Sequence, residues 1–158
     1  MENTRDKKLK AFEFLCDNRL GVISTISYKN QTPQGSLIYY VVDEKFIYFI
    51  TPRQSRKLAN INQSNSIALT VFTENPPMEL QLEGTVEAVE EPDKKSYISK
   101  LYLENANQNQ DTKNWPPVLK LPNDEGYIFA MVTINWFKFS DFSEQEGKIV
   151  EGTPEDWE

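Results

Sequence analysis

The residues best suited to chemistry in this sequence lie together in Thr51-Pro52-Arg53-Gln54-Ser55-Arg56-Lys57, between a strand pattern and a helix pattern. Ser55 is a good helix N-cap, because its hydroxyl accepts a hydrogen bond from a first-turn amide. Arg56 and Lys57 then fall in the first helical turn, where each cation opposes the helix dipole by roughly 0.3–1 kcal/mol. A bound anion would reverse that penalty. Free amides, a cap hydroxyl, a forked guanidinium and an ammonium would converge on one phosphate. Without an anion, the segment is a capped helix carrying two exposed cations. Both readings stand on these residues alone.

The strands feeding this segment are aromatic, with Tyr39, Tyr40, Phe46, Tyr48 and Phe49. Such residues fill a core, and beside a phosphate site they also allow a flat ring to lie across a hairpin. Other constellations are missing. The chain has no histidine, which removes His-based acid–base work, Ser-His and Cys-His nucleophiles, and nearly all zinc enzymes. Cys16 is the single cysteine, so no internal disulfide or thiolate cluster is available, and it is expected to fill a helix core. Gly21, Gly35 and Gly84 are isolated and make no phosphate-binding loop. No metal site is expected.

With 158 residues the chain fits one domain that needs no covalent staple. The net charge of −7 is concentrated: from Asp141 to Glu158 seven acids face Lys148 alone, and the body is nearly neutral. With no basic face, nucleic acid is not an expected partner; an aromatic barrel gripping single strands would need a basic groove. The acidic stretch reads as a solvated extension. No run is long and apolar enough for a membrane helix and no apolar signal core follows Met1, so the expected location is cytoplasmic.

The elements that must hold the segment follow from periodicity. A first helix capped by Asn3 or Thr4 runs to about Asp17, burying Leu9, Phe12, Leu15 and Cys16. Strands are expected at Arg19–Ser27, Pro33–Val42 and Phe46–Thr51, the last two joined by a hairpin at Asp43-Glu44-Lys45. A helix over Ser55–Gln63 turns Leu58 and Ile61 inward, and strands follow at Ile67–Thr73 and Met78–Val89. A helix from Pro92 to Glu104 packs on Tyr97, Ile98 and Leu101. Asn105–Asn114 is amide-rich and loop-like, and Tyr127–Val132 with Ile134–Phe142 reads as one bent strand or two. Six or seven antiparallel strands with helical connectors close best as a barrel, since closure removes exposed edges.

Several stretches together carry a family resemblance: FLCDNRLGVISTIS, Pro33 opening the second strand, the hairpin VVDEKFIYFIT, SRKLANINQSNSIALTVF and LQLEGTVEAV. The run from Phe14 to Val89 resembles the flavin-binding split barrel of the pyridoxamine 5′-phosphate oxidase-like proteins. That resemblance implies a mainly β fold, an antiparallel split barrel with peripheral helices. It also implies a homodimer with FMN at the interface; with the charge distribution, the expected division is a split-barrel domain over residues 1–142 and an acidic tail over 143–158. Thr51, Ser55, Arg56 and Lys57 would then grip the FMN phosphate and its neighbourhood. Gly35, Ser36, Leu37, Ile38 and Tyr40, with Ile50, would line the flavin, largely through backbone groups. Glu79 falls where such oxidases often carry a glutamine that reaches the partner's flavin. Related split barrels take a deazaflavin or haem instead; haem would find no histidine here.

The departures narrow the expected chemistry. Active oxidases of that family carry an arginine and a lysine where Gly35 and Tyr40 stand here, and they bind the substrate phosphate with C-terminal arginines. This chain has Arg5, Arg19, Arg53 and Arg56 and none beyond. Oxidation of pyridoxamine phosphate is therefore not expected. The expectation is an FMN-dependent oxidoreductase taking electrons from a small-molecule substrate or donor, with no catalytic acid or base assignable. A flavin-binding sensor, redox buffer or cofactor scavenger is the alternative.

Overall fold

The computed structural model describes residues 3–107, 126–143 and 148–158. The chain runs α1 (Thr4–Asp17), β1 (Leu20–Ile26), β2 (Pro33–Asp43), β3 (Phe46–Pro52), α2 (Arg56–Gln63), β4 (Ser66–Thr73), β5 (Met78–Val89), α3 (Pro92–Asn107), β6 (Tyr127–Asp141) and β7 (Lys148–Gly152), then a 3-10 turn at Pro154–Trp157. The strands form one antiparallel sheet in the order β3-β2-β1-β4-β5-β6-β7, closed by pairing of β3 with β6. Six strands thus make the barrel expected from the sequence. Closure leaves few edges to solvent.

Two strands are shared between neighbours. β2 pairs with β1 over Pro33–Tyr39 but with β3 only over Tyr40–Asp43. β6 gives its first half to β3 and its last residues, Phe137–Asp141, to β7. The expected bend in β6 is a bulge: Glu83 and Gly84 of β5 are consecutive, yet they face Trp136 and Ile134, so Asn135 is the extra residue. A Cβ at Gly84 would collide with the Thr133 carbonyl, so the close approach at this bulge requires glycine.

The core has two layers. Ile23, Ile38, Tyr40, Ile47, Phe49, Leu69, Val71, Leu80, Leu82, Val132 and Phe137 fill the barrel. Outside it, Ile98 and Tyr102 of α3 cover Tyr39, Val41, Tyr48 and Phe129. The continuous buried run Ile38–Val41 follows from this, because β2 has apolar neighbours on both faces there. Tyr97, expected to face inward, is 47% exposed and donates its hydroxyl to Asp43; Tyr102, five residues on and on another face of α3, is the buried ring.

α1 docks at the barrel end where Tyr40 donates its hydroxyl to the Leu15 carbonyl at 2.9 Å and Phe14 meets Phe139. Its buried residues are Ala11, Phe14 and Leu15, a face rotated from the expected one. Phe12 turns sideways instead, onto Trp157. Cys16 is exposed and not core filler. Partial burial of its sulfur, with Asp17 and Glu13 nearby, pushes the thiol up to about 11, so it is unreactive near neutrality.

The acidic C-terminal stretch is not a solvated extension over its described residues. β7 adds to β6, and the Trp157 ring stacks on Phe12 and Phe137 at 5.1 and 4.7 Å. Ion pairs Lys8–Asp156 and Lys45–Glu158 hold the segment from both sides. Of the loop expected at Asn105–Asn114, the first residues complete α3 and residues 108–114 lie outside the described set. Among the described residues no helix is long and apolar enough to cross a membrane.

Candidate functional site

α2 begins where the sequence indicated. Ser55 is its N-cap, the Oγ accepting the Leu58 amide at 3.3 Å, and Thr51 Oγ1 lies 3.0 Å from the same oxygen. The Ser55 amide donates to the Pro52 carbonyl, and Arg53 N donates to the Gly126 carbonyl, so the connection between β3 and α2 is pinned at both ends. Helix α2 has no acidic residue in its first turn. Arg56 and Lys57 stand there, against the dipole.

They line a cleft of about 470 Å³ together with Thr25, Gln34, Gly35, Ser36 and Asn60. The lining holds two cations and no carboxylate. Among the described residues no acid pairs with Arg56 or Lys57. Burial lowers the Lys57 pKa from its ordinary value, and no counter-charge offsets it. A half-buried ammonium with no acidic partner among the described residues is an arrangement that an anionic group would stabilise.

The other wall is a free strand edge. The Tyr40 amide donates to the Arg19 carbonyl, so in this register the even-numbered residues of β2 bond towards β1. Gly35, Leu37 and Tyr39 therefore turn their backbone groups the other way, where β3 has already diverged to β6. The Tyr102 hydroxyl fills the fork, 2.8 Å from the Tyr39 carbonyl and 3.0 Å from that of Tyr48. Beyond Tyr39, the edge at Gly35 and Leu37 has no strand partner among the described residues. Unpaired backbone donors and acceptors are what a planar heterocycle's polar edge requires.

The expected site residues divide into four groups. Gly35, Ser36, Arg56 and Lys57 meet in the cleft, with Thr51 and Ser55 directly behind the helix start. Leu37 is exposed on the outer face, and Ile50 packs beside the α3 cluster. Ile38 and Tyr40 point into the barrel, where burial raises the Tyr40 hydroxyl far above the ordinary phenol range. As even-numbered residues they also direct their backbone groups towards β1, so neither side chain nor backbone of these two is turned to the cleft.

Glu79 lies elsewhere in the chain. It pairs with Phe72 of β4, whereas the cleft end of β1 at Ser24 pairs with Ala68. Four residues of strand separate them, about 14 Å. Glu79 and the cleft therefore do not meet within one chain. The sequence reading missed Thr25, Gln34 and Asn60. The signal for Asn60 was its position one helical turn after Arg56, on the same face.

The sequence profile of pyridoxamine 5′-phosphate oxidase matches residues 7–125. No curated protein matches the chain. Among solved structures, a protein from Clostridium acetobutylicum related to general stress protein 26 of B. subtilis (pyridoxinephosphate oxidase family) superposes with a TM-score of 0.70. It is 17% identical, over 96% of this chain and 98% of that one. An FAD-binding protein from Mesorhizobium loti gives 0.63 at 12% identity, over 84% and 90%. A heme binding protein from Mycobacterium smegmatis gives 0.73 at 9% identity, covering 99% of this chain but only 60% of that protein. At these identities the structural likenesses establish the fold, and the profile match over most of the chain establishes the lineage. The chain belongs to the pyridoxamine 5′-phosphate oxidase family.

Proposed function

We propose that the protein binds FMN between the α2 N-terminus and the free edge of β2, and works as a dimeric FMN-dependent oxidoreductase on a small molecule. The observation that carries this reading is the pair Arg56 and Lys57, set in one cleft with no acidic partner and no lining carboxylate among the described residues. The Arg56 guanidinium and the Lys57 ammonium would hold the phosphate, with first-turn amides behind them. Gly35 and Leu37 would offer backbone groups to the ring. FMN, when bound, supplies hydride or single-electron acceptance. The chain's residues bind and orient it and keep water from its protein-facing side.

The family's name-giving reaction is not part of the proposal. Gly35 brings no side chain to the cleft, and Tyr40 is buried in the barrel with its hydroxyl on Leu15. No arginine follows Arg56 to hold a substrate phosphate. The same lining favours a second reading, a flavin-binding protein without a dedicated reaction: apart from Arg56 and Lys57 it contains no titratable side chain to move a proton. Anaerobic mixing of the flavin-loaded protein with nicotinamide cofactors and small-molecule reductants separates the two. Rapid bleaching by one of them supports the oxidoreductase. Uniformly slow bleaching supports the carrier or sensor.

The dimer has support in the outer sheet face. Leu20, Leu37 and Phe72 are 47, 54 and 64% exposed. Val22 pairs with both Leu37 and Thr70, so this register sets Leu20 beside Phe72 and makes one apolar patch across β2, β1 and β4. Glu79 is the cross-strand neighbour of Phe72 at its rim. An isologous pairing on this patch would bring the partner's copy of that rim towards the β2 edge. Deazaflavin is compatible with the same donors. Haem would have to use a ligand other than histidine.

A further inference from the structure

We infer that Asn60 is a positioning residue that holds the phosphate-binding turn of α2 in register with the free edge of β2. This inference rests on the FMN reading and deepens it. Arg56 and Lys57 are carried by a helix, whereas Gly35 and Leu37 are carried by a strand that is 11 residues long and pairs elsewhere. A ligand with a phosphate at one end and a ring at the other gains from both only if their separation is fixed. Linking two weak contacts raises affinity by a factor set by how well the geometry is held.

Asn60 supplies that fixed separation. It is fully buried, at 0% exposure, on the inner side of α2 next to the buried Ile61. Its Nδ2 donates to Thr25 Oγ1 of β1 at 3.0 Å and to Gln34 Oε1 of β2 at 2.9 Å. Its Oδ1 accepts the Tyr28 amide, in the turn between those strands, at 3.1 Å. The amide thus uses both N–H donors and its carbonyl on three separate points of the β1–β2 hairpin. Arg56 stands one turn earlier on the same helix face. Gln34 is the residue next to Gly35, so one side chain spans the interval between the anion-binding turn and the ring-binding edge. Burial makes this arrangement stiff, because any displacement of α2 leaves an amide or hydroxyl unpaired away from water.

The test is titration of wild type, Asn60→Ala and Thr25→Val with FMN, riboflavin and inorganic phosphate, followed by flavin fluorescence and calorimetry, beside a thermal melt of each. Thr25→Val removes one acceptor at constant shape, and it decides the matter if Asn60→Ala does not fold. The expected result is an FMN affinity lower by about tenfold or more in Asn60→Ala, and by about threefold in Thr25→Val. Riboflavin and phosphate taken singly should change by less than about twofold, since each needs only one half of the site. Unchanged FMN affinity in folded variants overturns the inference, whatever happens to Tm. So does a parallel loss of all three ligands, which would mean that the site had collapsed. Failure of the wild type to bind FMN overturns the cofactor reading, and this inference with it.

Discussion

The Thr51 hydroxyl lies 3.0 Å from the Ser55 hydroxyl, which also accepts the Leu58 amide at 3.3 Å. One short relay therefore joins the last turn of β3 to the first turn of α2. Thr51 is buried and anchored in the sheet opposite Ile128. The direction of the helix start, and of Arg56 and Lys57 with it, is inherited from the barrel wall.

Ser55→Ala should destabilise the protein by about 1 kcal/mol through loss of the cap. Ser55→Asp keeps a capping oxygen but sets a negative charge against the phosphate. It should melt like wild type and bind FMN far more weakly. Denaturant melts paired with FMN titrations check both. Equal FMN affinity in Ser55→Asp would remove the phosphate from this turn.

Arg56→Ala combined with Lys57→Ala should abolish stoichiometric FMN while leaving the fold intact, since neither side chain pairs with an acid among the described residues. pH adds an independent check. Burial lowers the Lys57 pKa in the free protein, and a bound phosphate raises it again. Affinity should therefore be level below the free-protein value and fall as pH rises above it, starting below the ordinary lysine range. Lys57→Arg should shift that fall to higher pH. A titration series from neutral to alkaline pH measures it.

The Tyr102 hydroxyl lies in the fork between β2 and β3, buried and with its pKa raised by that burial. Tyr102→Phe removes it without opening a cavity, leaving the Tyr39 and Tyr48 carbonyls short of a donor. The expected loss is about 1–3 kcal/mol in urea unfolding.

What the sequence made legible was local. The Ser55 cap, the cations after it and the hairpin at Asp43-Glu44-Lys45 all follow from neighbours within a few residues. Other features depend on partners that are distant in the chain. Phe12 looked like core because helical phase alone cannot show that Trp157 waits beside it. β7 was hidden in an acidic stretch, where Ile149 and Val150 are too short a pattern to register. Tyr97 and Tyr102 are equivalent by type, and only the fork between β2 and β3 selects the second. Asn60 reads as a surface amide until Thr25, Gln34 and the Tyr28 amide close on it. Glu79 entered through family resemblance alone, and the single chain keeps it away from the cleft.

Trp157→Ala should cost about 3–5 kcal/mol, because the ring is 7% exposed between Phe12 and Phe137. A melt unchanged by this substitution would mean that the C-terminal segment contributes no packing in solution.

Phe72→Glu tests the dimer. Phe72 is 64% exposed in the single chain, so a monomer should tolerate the change within about 0.5 kcal/mol. If the outer face is the interface, the variant should elute as a monomer by light scattering and lose FMN together with its partner. Wild-type protein that is itself monomeric while holding FMN would refute the shared site.

The most direct test of the central claim is the visible absorption spectrum of freshly purified protein, with the chromophore then released and identified by mass. The account predicts a yellow protein that releases FMN, or a colourless one that turns yellow and binds added FMN one per chain. A protein that stays colourless in excess FMN, or one showing a haem spectrum, would contradict it, and Arg56 and Lys57 would then be two cations on a capped helix.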